Sequence, residues 1–163
     1  MSEFEGLNTS ELLQLWSRSL AELRTRGICR SANNPVADYA ELLSTRALGL
    51  TLATKSNTGF DAVDGDGQRY EVKARRITPQ NRSRQLSPLR GLDRHHFDFL
   101  VGVVLNTDFS VLRACVIPYA RVMEYATFRE HVNGWILHLR DALWEQPGVN
   151  DVTDAFAAAE VQV

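Results

Sequence analysis

Gly59-Phe60-Asp61-Ala62-Val63-Asp64-Gly65-Asp66-Gly67-Gln68-Arg69-Tyr70-Glu71-Val72-Lys73-Ala74-Arg75-Arg76 reads as two strands joined by a glycine-rich turn. Strand side chains alternate between faces, so Glu71, Lys73 and Arg75 project together while Tyr70, Val72 and Ala74 project the other way. Register decides what lies across from them. A two-residue loop at Asp66-Gly67 would set Ala62 opposite Glu71 and turn Asp61 away. A three-residue loop, Gly65-Asp66-Gly67, sets Asp64 opposite Gln68 and Asp61 opposite Glu71. Such loops want a left-handed residue at their third position, and Gly67 supplies it. The turn chemistry therefore selects the register that brings two carboxylates and an ammonium to one face. A calcium-loop reading of Asp64-Gly65-Asp66-Gly67 fails, because counting from Asp64 puts Arg69 at the sixth position and Arg75 at the twelfth. Asp64 and Asp66 are turn residues.

Outward from the hairpin, the chain reads as alternating helix and strand. A helix over residues 9–26 has Asn8 and Glu11 as a capping box and Gly27 as its stop. Leu12, Leu13, Trp16, Leu20 and Leu23 form a helical stripe that is core or interface. Asn34-Pro35 opens a second helix running to Leu48 and stopped by Gly49. Val36, Ala40, Leu43 and Ala47 make its apolar face, and Asp38, Glu41 and Thr45 another. Residues 50–53 form a short strand before the hairpin.

After the hairpin, Pro79, Pro88 and Gly91 punctuate a loop with a short helix over 84–92. Residues 97–105 are a near-continuous apolar run, a central buried strand, with 111–117 as its neighbour. A helix over 120–131 follows, then a strand over 132–139 with Trp135, Leu137 and Leu139 on one side. Gln146-Pro147-Gly148 is a turn, and Asp151 caps a last helix through Ala159. The fold class is α/β, an α+β sandwich on a mixed central sheet flanked by helices. The 163 residues form one unit: a helix at 8–26, a core at 34–117 and a helix-strand-helix extension at 118–163.

Composition narrows the partners. Apolar residues make up 44% and the net charge is −2, so the chain is no general polycation. Yet Lys73, Arg75, Arg76, Arg82, Arg84, Arg90 and Arg94 stand against only Asp93 between residues 73 and 94, a local site for an anionic partner. Cys29 and Cys115 have no metal-ligand spacing and read as reduced thiols. The N-terminus is acidic, without the order of a secretion signal, and no apolar run is long enough to span a bilayer, which places the chain in the cytoplasm. Adjacent His95 and His96 would point apart on a strand and do not read as a metal pair.

Asp61, nine residues, then Glu71-Val72-Lys73, preceded by a helix bearing Glu41, resembles the PD-(D/E)XK nuclease superfamily. The resemblance spans residues 34–117. Ala37-Asp38-Tyr39-Ala40-Glu41, Gly59-Phe60-Asp61-Ala62 and Tyr70-Glu71-Val72-Lys73-Ala74-Arg75 are similar to a group of small uncharacterised bacterial domains within it. The first motif position lacks the proline of the family's name, as many members do. The resemblance implies a restriction endonuclease-like core and a metal-dependent DNA endonuclease, in restriction, defence or repair. Asp61, Glu71 and the Val72 carbonyl would bind Mg²⁺, with Mn²⁺ able to substitute, and Glu41 would join through water. Lys73 would orient or help deprotonate the attacking water. Arg75, Arg76, Arg82, Arg84 and Arg90 would neutralise DNA phosphates, and Gln80, Asn81 and Gln85 would read base edges. A homodimer would let a single-site domain cut both strands. The alternatives are a non-catalytic nucleic-acid-binding or regulatory domain on the same fold, and an interaction module using the Leu/Trp stripe and the C-terminal segment.

Overall fold

The computed structural model describes residues 3–54 and 59–161. The first two residues of the acidic N-terminus and the last two of the C-terminal extension therefore lie outside the described residues. Helix α1, Thr9–Thr25, begins at the expected capping box: the Asn8 N–H donates to Glu11 Oε2 at 2.7 Å and the Glu11 N–H to Asn8 Oδ1 at 3.1 Å. Its apolar stripe is not core, for no α1 side chain is buried. Helix α2, Val36–Leu48, starts where Asn34 Oδ1 accepts the Val36 N–H at 3.2 Å, and ends at Gly49 with φ 67°. Its Ala40 and Leu43 are fully buried.

Among the described residues six strands form the main sheet: β1 Thr51–Leu52, β2 Ala62–Val63, β3 Arg69–Arg76, β4 Phe99–Leu105, β5 Val111–Pro118 and, after the β6/β7 hairpin described below, β8 Asn150–Asp151. Their order is β1-β2-β3-β4-β5-β8, antiparallel at every step except β3–β4, which is parallel. The sheet is therefore mixed, as the class reading expected. β4 lies at its centre and is covered on both faces, so its side chains from Leu100 to Leu105 are buried regardless of parity. The Arg69 N–H and guanidinium clasp Asp98 at 2.8–3.0 Å where β3 and β4 start together, holding that carboxyl down to about 2.

One face carries α2 and α4, Thr153–Glu160, with Leu43, Val72, Val101, Val103, Leu105 and Phe156 between them and the sheet. Asp151 Oδ1 accepts the Thr153 N–H at 3.0 Å, but Asp151 ends β8 and the N-cap position of α4 is Val152, which makes no side-chain cap. The other face is closed mostly by irregular chain. Here Leu86, Leu89, Leu92, Phe97, Leu137 and Leu139 pack on Leu100, Val104, Cys115 and Ile117.

Two expected helices are corrected on this second face. Residues 84–92 are extended, with only a 3₁₀ turn at Leu92–Arg94. Leu89 and Trp135 exchange backbone hydrogen bonds at 2.9 and 3.0 Å, and the Leu86 N–H donates to the Leu137 carbonyl at 3.0 Å. Pro88 would have removed a donor from a short helix, whereas pairing with a neighbouring segment satisfies the flanking amides and buries three leucines. Helix α3 spans only Tyr119–Tyr125, short of 131. The chain then makes a hairpin of β6 Thr127–Arg129 and β7 Gly134–Ile136, clamped by Phe128 on Trp135 at 4.7 Å. The expected strand over 132–139 is thus three residues long, and Leu137 and Leu139 continue it as buried extended chain.

Candidate active site

The hairpin register is the three-residue one. Ala62 pairs with Tyr70 and Val63 with Arg69, and the Asp64 N–H donates to the Gln68 carbonyl at 3.1 Å; at Asp61 the ladder bulges, its N–H donating at 2.8 Å to the Tyr70 carbonyl instead of Asp61 pairing with Glu71. Gly67 takes φ 79°, and the Asp64 carboxylate accepts the Asp66 and Gln68 N–H groups at 3.0 and 2.9 Å, the turn role assigned to it. The parallel register sets Glu71, Lys73 and Arg75 beside Leu100, Gly102 and Val104. They share the face closed by irregular chain, while Tyr70, Val72 and Ala74 face α2 and α4.

Because β2 ends so soon, strand pairing along β3 stops short of Val72 on that side. The Asp61 carboxylate takes over: its Oδ2 accepts the Val72 N–H at 2.7 Å. A strand residue's N–H and C=O project to the same side, so the Val72 carbonyl is directed toward the open edge that Asp61 guards. Lys73 Nζ lies 2.5 Å from Glu71 Oε1, with the two side chains 24% and 14% exposed. Burial raises the Glu71 carboxyl above its ordinary value; Lys73 opposes the rise, and the charges of Asp61 and Glu41 add to it.

Glu41 reaches this edge from α2. Burial raises its carboxyl too, the Arg30 guanidinium that donates to it pulls the other way, and Asp61 and Asp38 push it further up. Arg30 was not singled out from sequence. It lies in a polar connector, and its Nη1 also donates to the Ala53 carbonyl at 3.1 Å, tying α2 to the strand before the hairpin. Asp38 is 8% exposed, and its Oδ2 accepts the Arg30 and Ser31 N–H groups and the Ser31 hydroxyl at 2.7–2.9 Å. Its spacing from Glu41, three residues on one helix, was the available signal. His96 packs against Gly59 so closely that a Cβ there would lie 2.3 Å from His96 Cβ. His95 instead stacks on Tyr119 at 3.9 Å, so the two histidines form no pair.

The basic segment divides. Arg75 stays on the Lys73 face, its Nε donating to the Ser83 carbonyl at 3.1 Å. Arg76 points to the opposite face, where its guanidinium lies 4.2 Å over the Phe109 ring. Arg84 is held by Asp141 at 2.7 Å. Arg82 and Arg90 are exposed, as are Gln80, Asn81 and Gln85. Arg82 and Arg84 line a groove of about 660 Å³ with Ile77, Thr78, Asn106 and Thr107, at the carboxyl ends of β3 and β4.

The fold and these side chains define a mixed α/β domain with an acid–acid–lysine cluster at the open edge of its sheet. No family model matches the chain, and no curated protein matches it. Among the described residues no three His, Cys, Asp or Glu side chains form a metal cluster by themselves. A Mg²⁺ site asks for less, one or two carboxylates with waters and substrate phosphate. Asp61, Glu71 and the Val72 carbonyl meet that requirement. The charges agree: Asp38, Glu41, Asp61 and Glu71 face Lys73 and Arg30, leaving an excess of carboxylates that a cation would offset. Among the described residues no helix is long and apolar enough to cross a membrane.

Proposed function

We propose that this chain is a Mg²⁺-dependent endonuclease of the PD-(D/E)XK kind, hydrolysing phosphodiester bonds of DNA. The observation that carries the reading is the Asp61 carboxylate seated on the Val72 N–H at 2.7 Å, where its charge acts on Glu71, with Lys73 paired to Glu71 and Glu41 arriving from α2. Asp61, Glu71 and the Val72 carbonyl would hold the ion, and Glu41 would meet it through water. When bound, Mg²⁺ supplies charge neutralisation at the phosphate and makes water acidic enough to act at neutral pH. Lys73, as an ammonium, orients the attacking water and favours loss of its proton to solvent; the water oxygen bonds to phosphorus as the bond to the leaving oxygen breaks, and solvent protonates the leaving oxygen. Arg75, Arg82 and Arg90 neutralise flanking phosphates, and Gln80, Asn81 and Gln85 reach toward base edges. Two copies, or two successive encounters, cut both strands.

The test is cleavage of supercoiled plasmid. Nicked and linear DNA should accumulate with Mg²⁺ or Mn²⁺ and stop with EDTA. Lys73→Ala should lower the rate by at least about a hundredfold while leaving DNA affinity unchanged. DNA bound but never cut, by wild type and variant alike, would favour the non-catalytic nucleic-acid-binding reading. Failure to retain DNA even at low salt would sink both.

A further inference from the structure

Helix α1 carries an apolar face that the domain leaves open. Leu12, Leu13, Leu15 and Trp16 are 41%, 62%, 38% and 51% exposed. Helices of this length are marginal in water unless an apolar face is packed, and exposed apolar patches mark interaction sites. We infer that α1 is a dimerisation arm whose occupant is a second copy of this chain, packed antiparallel along the same helix.

Spacing is the first support. Leu13, Trp16, Leu20 and Leu23 are three, four and three residues apart, the seam of a short coiled coil. Symmetry is the second. A two-fold axis passing by Arg18 sets Leu13 against the partner's Leu23 and Trp16 against the partner's Leu20, so one surface complements itself. Ser17 and Ser19 flank the crossing with small side chains that let the helices approach.

Charge fixes the direction. Glu3, Glu5 and Glu11 lie at the amino end of α1, while Arg24 and Arg26 lie at its carboxyl end, Arg26 also pairing with Glu22 at 2.8 Å. Antiparallel pairing brings opposite signs together; parallel pairing would set like against like. A notch completes the surface. Beyond the carboxyl end of α1, Leu23, Ile28, Pro35, Tyr39 and Phe109 line a hollow of about 320 Å³, with Glu160 at its edge.

Sedimentation of the full chain over a wide concentration range reads the mass directly, independently of any nuclease activity. The wild type should run as a dimer. Trp16→Glu, present twice in a two-fold interface, should raise the dissociation constant by about a hundredfold or more with the far-UV spectrum of the sheet retained. If Trp16→Glu impairs folding, a milder pair still tests the arrangement: Leu13→Cys mixed with Leu23→Cys should cross-link unlike chains and leave like chains uncoupled. Cys29 and Cys115 are buried and do not compete. A monomer at all concentrations, a dimer indifferent to Trp16→Glu, or cross-linking of like with like would overturn the proposal.

Discussion

Glu71 is held between opposing influences whose balance changes with pH. Burial and the neighbouring Asp61 and Glu41 raise its carboxyl above 4.5, and Lys73 only partly offsets them. The folded state therefore binds this proton more tightly than the unfolded chain does. Glu71 contributes stability fully below about 4.5, its ordinary value, and that contribution is lost as pH rises through the raised folded value. Glu71→Gln carries no titrating proton at this position. In divalent-free buffer, thermal melts should show wild type losing ground to Glu71→Gln as pH climbs above that window, with added Mg²⁺ narrowing the gap at neutral pH. Equal slopes for the two proteins would contradict the electrostatic account. The three-residue loop was legible in the sequence because Gly67 supplies its left-handed position; the bulge that sets the Asp61 N–H on the Tyr70 carbonyl, short of a direct pairing with Glu71, was not. Arg30 was not, since a connector arginine that crosses to Glu41 has the same local pattern as one in solvent.

At the scale of elements, the loop carrying His96 is fitted against the strand leading to Asp61. Gly59 has φ 98°, and its missing Cβ is what lets His96 approach. An added Cβ would meet His96 Cβ, an atom fixed to the backbone, so the loop itself would have to move. Gly59→Ala should cost about 3 kcal/mol from the strained backbone and the overpacking together, measured by denaturant titration. If the cost is negligible, the two segments are not locked. The α1 capping box, the Gly49 stop of α2 and the central strand were readable, because caps and continuous apolar runs are local signals. The 84–92 segment was not: its leucines recur every three residues, a spacing that a short helix and an irregular extended strip both tolerate. The hairpin opposite, through Leu89 and Trp135, decides between them.

The whole molecule has two unlike faces. α2 and α4 seal one, while the face bearing Glu71, Lys73 and Arg75 is closed by loops that also carry Arg82 and Arg90. That asymmetry, invisible in a net charge of −2, puts the exposed Arg82 and Arg90 in the chain that closes the face of the acid cluster. If DNA is bound there, Arg82→Ala should weaken binding evenly across sequences and reduce the slope of log affinity against log salt by about 1. An unchanged slope would place the phosphates elsewhere. Asp61 has a consequence of a different kind. Its carboxylate serves as the hydrogen-bond partner that β2 is too short to give Val72, so it has structural work even where no bond is ever cut. On the nuclease reading proposed above, a descendant relieved of that chemistry could shed Lys73 and Glu71 together yet would still need an acceptor at position 61. When degenerate copies of this domain are sorted from working ones, an aspartate there is poor testimony, and the lysine is the residue to ask.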